Sequence, residues 1–153
     1  MTKLMRRKQL ITHDPENGKW GDCYRTCIAM LMGLDPAEVP HFCDGSPENA
    51  SGIEGVRDWL RPQGLSVFQS VYGADITFRQ LMGTLEHFSP GVPVIITGMG
   101  TRGVNHCVVA IGNQVFCDPC NGKPVKKPFT GPAESEGEAW WWIEAIAKAP
   151  AYE

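Results

Sequence analysis

The chain has 153 residues, of which 42% are hydrophobic and 20% are charged, and its net charge is −3. This length and composition predict one globular domain over 1–153 with its own hydrophobic core. The small negative charge gives no basis for nucleic-acid binding, and no apolar stretch is long enough to cross a membrane. No signal-peptide core follows the basic N-terminal cluster, so we expect a cytoplasmic protein whose six cysteines are mostly reduced.

The first half of the chain carries mainly helical patterns. Residues 1–22 predict an extended arm with a turn over 14–18, where Asp, Pro, Asn and Gly cluster. Asp22 and Thr77 are each expected to cap a helix, because each precedes apolar residues at helical spacing. Three helices and one strand are predicted, over 23–34, 53–60, 77–88 and 65–72.

The second half of the chain is richer in strand patterns. A continuous β-branched run over 92–97 predicts a buried strand, and the glycine-rich segment 98–103 predicts a loop. Segments 106–111 and 115–118 predict a hairpin, and the first half of 139–147 predicts a strand with three consecutive tryptophans. Helices followed by strands predict an α+β fold rather than a doubly wound one.

Cys23 is the leading candidate for a nucleophile. It follows a polar, glycine-rich loop and opens the first predicted helix. The positive end of a helix dipole stabilises a thiolate, which is the reactive form of cysteine. The remaining cysteines are assigned to core positions (Cys27, Cys107, Cys117) or to loops (Cys43, Cys120).

His106 and Asp118 are the candidates for a base and the group that orients it. His106 follows the glycine-rich loop and opens a strand, and Asp118 ends the next strand. A three-residue turn over 112–114 would place both side chains on one face, whereas a two-residue turn would place them on opposite faces. Surface or capping roles are expected for the other histidines, which are His13, His41 and His87.

This pattern resembles papain-like cysteine peptidases, in particular the small peptidases that remove double-glycine leaders from bacteriocins. The resemblance lies in Asp22-Cys23 at a helix start, His106-Cys107-Val108-Val109 at a strand start and Asp118-Pro119 at a strand end. Segments 17–23 and 38–42 also resemble small proteins encoded by tailed phages. The resemblance implies a papain-like α+β fold, in which an N-terminal helix carrying the cysteine packs on a mostly antiparallel sheet carrying the histidine and the acid. A phage protein of this type would act in the host cytoplasm.

The resemblance further implies a hydrolase that cleaves a peptide, isopeptide or amide bond through a thioester on Cys23. The substrate would be a peptide or protein, with no cofactor and no metal. Papain-like enzymes carry an oxyanion-hole glutamine six residues before the nucleophile, and Asn17 occupies that position here. Gln9 is a weaker substitute, fourteen residues before Cys23. Trp20 and Asn105 are the residues expected to contact the substrate.

Three alternatives stay open at this point. The Cys117-x-x-Cys120 spacing is that of a zinc ligand pair, which Cys23 and Cys27, or His41 and Cys43, would complete. The same two cysteines, Cys117 and Cys120, also suit thiol redox chemistry. The third alternative is a papain-like fold without catalytic activity, used as a binding or inhibitor module.

Overall fold

A computed structural model describes residues 3–150 of the chain. It contains three α-helices and six strands, which confirms the α+β class. The helices are α1 (Cys23–Met32), α2 (Gly52–Leu60) and α3 (Phe78–Phe88), and the strands are β1 (Leu65–Gly73), β2 (Pro93–Gly100), β3 (Asn105–Ile111), β4 (Gln114–Cys117), β5 (Phe129–Ser135) and β6 (Glu138–Lys148). Within residues 3–150, no helix has the length and apolar character needed to cross a membrane.

The strands form one antiparallel sheet in the order β1-β6-β5-β2-β3-β4. β6 is the longest strand and pairs with β5 near its start, with β2 in its middle and with β1 along most of its length. The predicted strand over the first half of 139–147 therefore continues to Lys148. Its central tryptophan, Trp141, is buried in the core.

Helices cover both faces of the sheet, so the molecule has two hydrophobic cores. Side-chain alternation along β2 divides this strand between them: Ile95 packs with α1 and α2, whereas Val94 and Ile96 pack with α3. Burial on both faces explains why this strand is continuously apolar. Cys107 belongs to the first core and faces α1.

The helix boundaries follow local capping chemistry. Thr77 and Gln80 form a capping box at the start of α3, as the sequence predicts for Thr77. α1 ends at Met32, two residues earlier than predicted, because Gly33 adopts a left-handed conformation with φ of 69°. Its N–H donates to the carbonyls of Ala29 and Met30, which closes the helix.

The prediction of a loop over 98–103 is wrong for its first half. β2 continues through Gly100 and pairs there with β3 and β5. Gly98 allows this because aromatic rings lie directly on its backbone: an added Cβ would be 2.7 Å from the ring of Trp141 and 2.9 Å from Phe129. The glycines therefore serve close packing in a strand rather than loop mobility.

Candidate active site

The N-terminal arm is held against the start of α1 by Asp22. This residue does not cap the helix with its side chain, contrary to the prediction. Its fully buried carboxylate instead accepts hydrogen bonds from the backbone N–H of Leu10 (3.3 Å) and Ile11 (2.8 Å). Arg25, one turn along the helix, also donates to it at 2.7 and 3.0 Å. Asp22 thus connects the arm to the helix that begins with Cys23.

This connection places Gln9 in the same cavity as Cys23. The intervening residues fold away as a short hairpin, closed by pairing of Asp14 with Lys19. The backbone N–H of Gln9 donates to Pro119, and its Oε1 is buried without a hydrogen-bond partner among the described residues. Gln9 is therefore close to Cys23 in space although it is distant in sequence.

Asn17 does not lie at this site, contrary to the prediction that it supplies the oxyanion hole. It is exposed in the turn of the hairpin, and its Nδ2 donates to the Asp14 carboxylate at 2.8 Å. It is not among the residues that line the cavity. Counting six residues back from Cys23 fails here because the hairpin inserts extra chain between the arm and the helix.

The side chains of His106 and Asp118 lie within hydrogen-bond distance, as predicted, but the hairpin that brings them together differs from the predicted one. The β3–β4 turn has two residues rather than three, since Ile111 pairs with Gln114. A β-bulge then adds one residue to β4, so that Val109 pairs with Cys117. The extra residue in β4 places the Asp118 side chain on the same face of the sheet as His106, whereas the two-residue turn alone would place it on the opposite face. His106 Nε2 and Asp118 Oδ1 are consequently 2.8 Å apart.

His106 and Asp118 are largely buried, and each favours the charged form of the other. Burial alone would lower the pKa of His106, but hydrogen bonds to Asp118, Cys120 and Cys23 raise it to about 12. Burial likewise opposes ionisation of Asp118, but its bond to His106 leaves the pKa of this carboxyl below its usual value. The hydrogen bond therefore favours the protonated imidazole together with the ionised carboxylate. Since Nε2 is taken by Asp118, Nδ1 is the ring nitrogen available to Cys23.

The environment of Cys23 opposes thiolate formation more than its place at a helix start suggests. Its Sγ lies 3.5 Å from the Sγ of Cys107, and the two thiols are not joined. Contact with Cys107 and then burial raise the pKa of Cys23 well above its ordinary value, while the interaction with His106 lowers it. The dipole of α1 is thus outweighed by desolvation, and His106 is the group that favours the thiolate.

The three side chains open into a cavity of about 700 Å³. Trp20 and Asn105 also line it, as expected for substrate contacts. Trp20 is 42% exposed at the rim, whereas the amide of Asn105 is bonded in both directions to the backbone of Glu134. Asn105 therefore fixes β5 beside the cavity, and its amide is engaged with the backbone of Glu134.

The lining of the cavity also contains a buried carboxylate that sequence analysis did not single out. Glu144 on β6 is 6% exposed and accepts hydrogen bonds from the hydroxyl of Tyr24 (2.5 Å) and from Nε2 of Gln69 (3.1 Å). Burial raises the pKa of Glu144, although both donors counteract this. α1, β1 and β6 thus join in a buried polar cluster at the lining of the cavity.

The four-ligand zinc sites considered from the sequence are not assembled. Cys117 is buried and its thiol donates to the carbonyl of Arg7 at 3.5 Å, away from its CxxC partner. Within residues 3–150, the cluster able to hold a metal ion is His106, Asp118 and Cys120. All six cysteines are free thiols.

Comparison of the chain with protein-family models, with curated proteins and with solved structures finds no match.

Proposed function

We propose that this chain is a papain-like cysteine hydrolase that cleaves peptide, isopeptide or amide bonds through Cys23, His106 and Asp118. The main support is the meeting of a helix-start cysteine and a histidine–carboxylate pair in one cavity, from three separate elements. The second support is the hydrogen-bond order. Asp118 occupies Nε2 and leaves Nδ1 for Cys23, so the acid orients one ring nitrogen while the other can act on the thiol.

In the proposed reaction His106 draws the proton from Cys23, because Asp118 raises the proton affinity of the imidazole. The thiolate attacks the carbonyl carbon of the substrate and forms a tetrahedral oxyanion. The C–N bond then breaks as His106 protonates the leaving amine, and a thioester on Cys23 remains. Water deprotonated by His106 hydrolyses the thioester and restores the thiol.

Gln9 takes the place of Asn17 as the side-chain donor to the oxyanion in this proposal. Gln9 lines the same cavity as Cys23, and the Nε2–H group of its side chain is the donor in this proposal. The backbone N–H of Cys23, at the open end of α1, is the second donor. One such donor is worth about 100- to 1,000-fold in rate.

Two reagents with different requirements test the proposal. Iodoacetamide needs only a thiolate, whereas an activated ester such as p-nitrophenyl acetate passes through an oxyanion. Intact-mass analysis with peptide mapping should show selective alkylation at Cys23, and this selectivity should be lost in His106→Ala. Cys43, an exposed cysteine at the same cavity, is the internal control. Equal labelling of both cysteines would contradict the proposed nucleophile.

Gln9→Ala should slow acylation by the ester about 100- to 1,000-fold and leave alkylation unchanged. Asn17→Ala is the matched control, since its amide lies outside the cavity, and it should change neither rate. If both variants acylate at the wild-type rate, Gln9 does not serve the oxyanion.

A further inference from the structure

Cys120 lies at the catalytic pair but has no role in the proposed reaction. It is exposed, and its Sγ is 3.7 Å from His106 Nε2, on the same ring nitrogen that binds Asp118. Its backbone N–H donates to Asp118 Oδ1 at 2.9 Å, so the carboxylate and the thiol are fixed relative to each other. A second bond holds this turn, since Gly122 N–H donates to the Asp118 carbonyl at 2.8 Å.

These three side chains present one nitrogen, one oxygen and one sulfur to a common point. The ligand atoms all lie within 4.8 Å of one another, and one of the three residues, Asp118, is a buried carboxylate. Ligand atoms of a tetrahedral zinc ion are separated by roughly 3.3–3.8 Å, from zinc–ligand bonds of about 2.0–2.3 Å. The 3.7 Å between His106 Nε2 and Cys120 Sγ lies within this range, and the 2.8 Å between Nε2 and Asp118 Oδ1 is shorter, so small side-chain rotations suffice.

We propose that His106, Asp118 and Cys120 form a zinc-binding site that replaces the His106–Asp118 hydrogen bond when it is filled. An imidazole, a thiolate and a carboxylate together suit zinc, whereas magnesium and calcium require oxygen ligands. Binding displaces the thiol proton of Cys120 and the proton on Nε2 of His106. The fourth position faces the cavity and is open to water.

Zinc binding would stop the proposed hydrolysis, and this half of the inference rests on the proposed function. The ion takes Nε2, while Nδ1 is the nitrogen that serves Cys23. Once coordinated, His106 no longer draws on Asp118 for proton affinity and cannot hold the proton that Cys23 must lose. The zinc site and the catalytic base therefore exclude each other, although the nucleophile is not a ligand.

The binding half is tested on the full-length Cys23→Ser variant, in which the nucleophile cannot contribute a thiolate. Cobalt(II) is titrated as a spectroscopic probe, and zinc affinity is measured by competition with a chromogenic chelator. We expect one equivalent of metal with a thiolate-to-cobalt absorption band. Adding Cys120→Ser should remove the band and weaken zinc at least about 100-fold, whereas adding Cys43→Ser should change neither. A band that persists without Cys120, or that disappears without Cys43, overturns the site.

The inference that zinc inhibits the reaction is tested by the rate at which iodoacetamide alkylates Cys23, measured with and without one equivalent of zinc. Zinc should slow the wild type and leave Cys120→Ser at its zinc-free rate. Equal slowing of both proteins would place zinc directly on Cys23 and overturn the exclusion mechanism. If alkylation proves independent of His106, the proposed hydrolase fails while the cobalt band still decides the metal site. The two failures are therefore distinguishable.

Discussion

Replacing Asp22 by alanine tests whether the arm and the nucleophile helix depend on one buried carboxylate. Asp22 is fully buried and accepts from two backbone N–H groups of the arm and from the guanidinium of Arg25. Its removal leaves the N–H groups of Leu10 and Ile11 without their acceptor and leaves a partly buried cation unpaired. The arm that carries Gln9 then loses its attachment to the start of α1.

The expected cost can be worked from these contacts. Breaking a buried ion pair by deleting one partner costs about 3–5 kcal/mol, and a hydrogen bond to a charged group contributes about 1.5–3 kcal/mol. Arg25 keeps 13% of its side chain exposed and regains some hydration, which offsets part of this. We therefore expect Asp22→Ala to lose about 3–4 kcal/mol. Asp22→Asn, which keeps an acceptor for Ile11 but not the charge, should lose about half as much.

Urea unfolding, followed by the midpoint and slope of the transition, measures these losses. Asp35→Ala is the matched control, because Asp35 is a true helix-capping aspartate on the surface and should cost only about 1 kcal/mol. Asp22→Ala should also slow acylation of Cys23 by p-nitrophenyl acetate, under conditions where the variant remains folded. A loss no larger than that of Asp35→Ala would refute the role assigned to Asp22.

Three further outcomes follow from burial and packing. The pKa of Glu144 is higher in the folded protein than in the unfolded chain, so between the two pKa values the folded protein holds a proton that the unfolded chain has lost. The contribution of Glu144 to the free energy of unfolding should therefore fall as the pH rises through this interval. Glu144→Gln should flatten this fall in the free energy of unfolding, and an unchanged slope would contradict it. Alkylation of Cys23 should depend on His106, because the interaction with His106 lowers the pKa of the thiol: His106→Ala should move the rise of the alkylation rate to more alkaline pH, and an unchanged pH profile would count against this. Gly98→Ala should lower the free energy of unfolding by about 1–3 kcal/mol, because the added Cβ clashes with the ring of Trp141. Gly83→Ala has open space around it and should raise the free energy of unfolding by about 0.5–1 kcal/mol. Thermal or urea unfolding measures both, and equal effects would refute the packing explanation.

The elements that carry the candidate site could be predicted because each has a local signal. A glycine-rich loop before an apolar helical stripe places Cys23, and strand alternation places His106. The prediction that His106 and Asp118 share a face depends on a three-residue turn, whereas the turn has two residues. The β-bulge in β4 compensates for the missing residue and returns Asp118 to the face of His106. Bulges depend on how a strand fits its neighbours across the sheet, so residue counting along one hairpin does not reveal them.

Sequence reasoning ranked Gln9 below Asn17 and did not single out Glu144, because both residues reach the cavity through the path of the chain rather than through spacing. Gln9 reaches the cavity because the hairpin closed by Asp14 and Lys19 loops out, and that pairing leaves no periodic pattern in the sequence. Glu144 lies in an apolar strand, where the pattern predicts that a single acidic residue faces solvent. Only the contacts with Tyr24 and Gln69, from two distant segments, explain its burial.

In the proposed reaction, the bond between His106 Nε2 and Asp118 controls how readily Cys23 forms a thiolate. Burial disfavours the Cys23 thiolate, yet the same low dielectric strengthens its attraction to a charged imidazole. The attraction operates only while Asp118 keeps the proton affinity of His106 high, since burial alone acts in the opposite direction. Any group that competes for Nε2, as Cys120 with a zinc ion would, therefore leaves the desolvation of Cys23 uncompensated. The reactivity of Cys23 is thus set on the far side of the imidazole ring, at an atom that the cysteine does not touch.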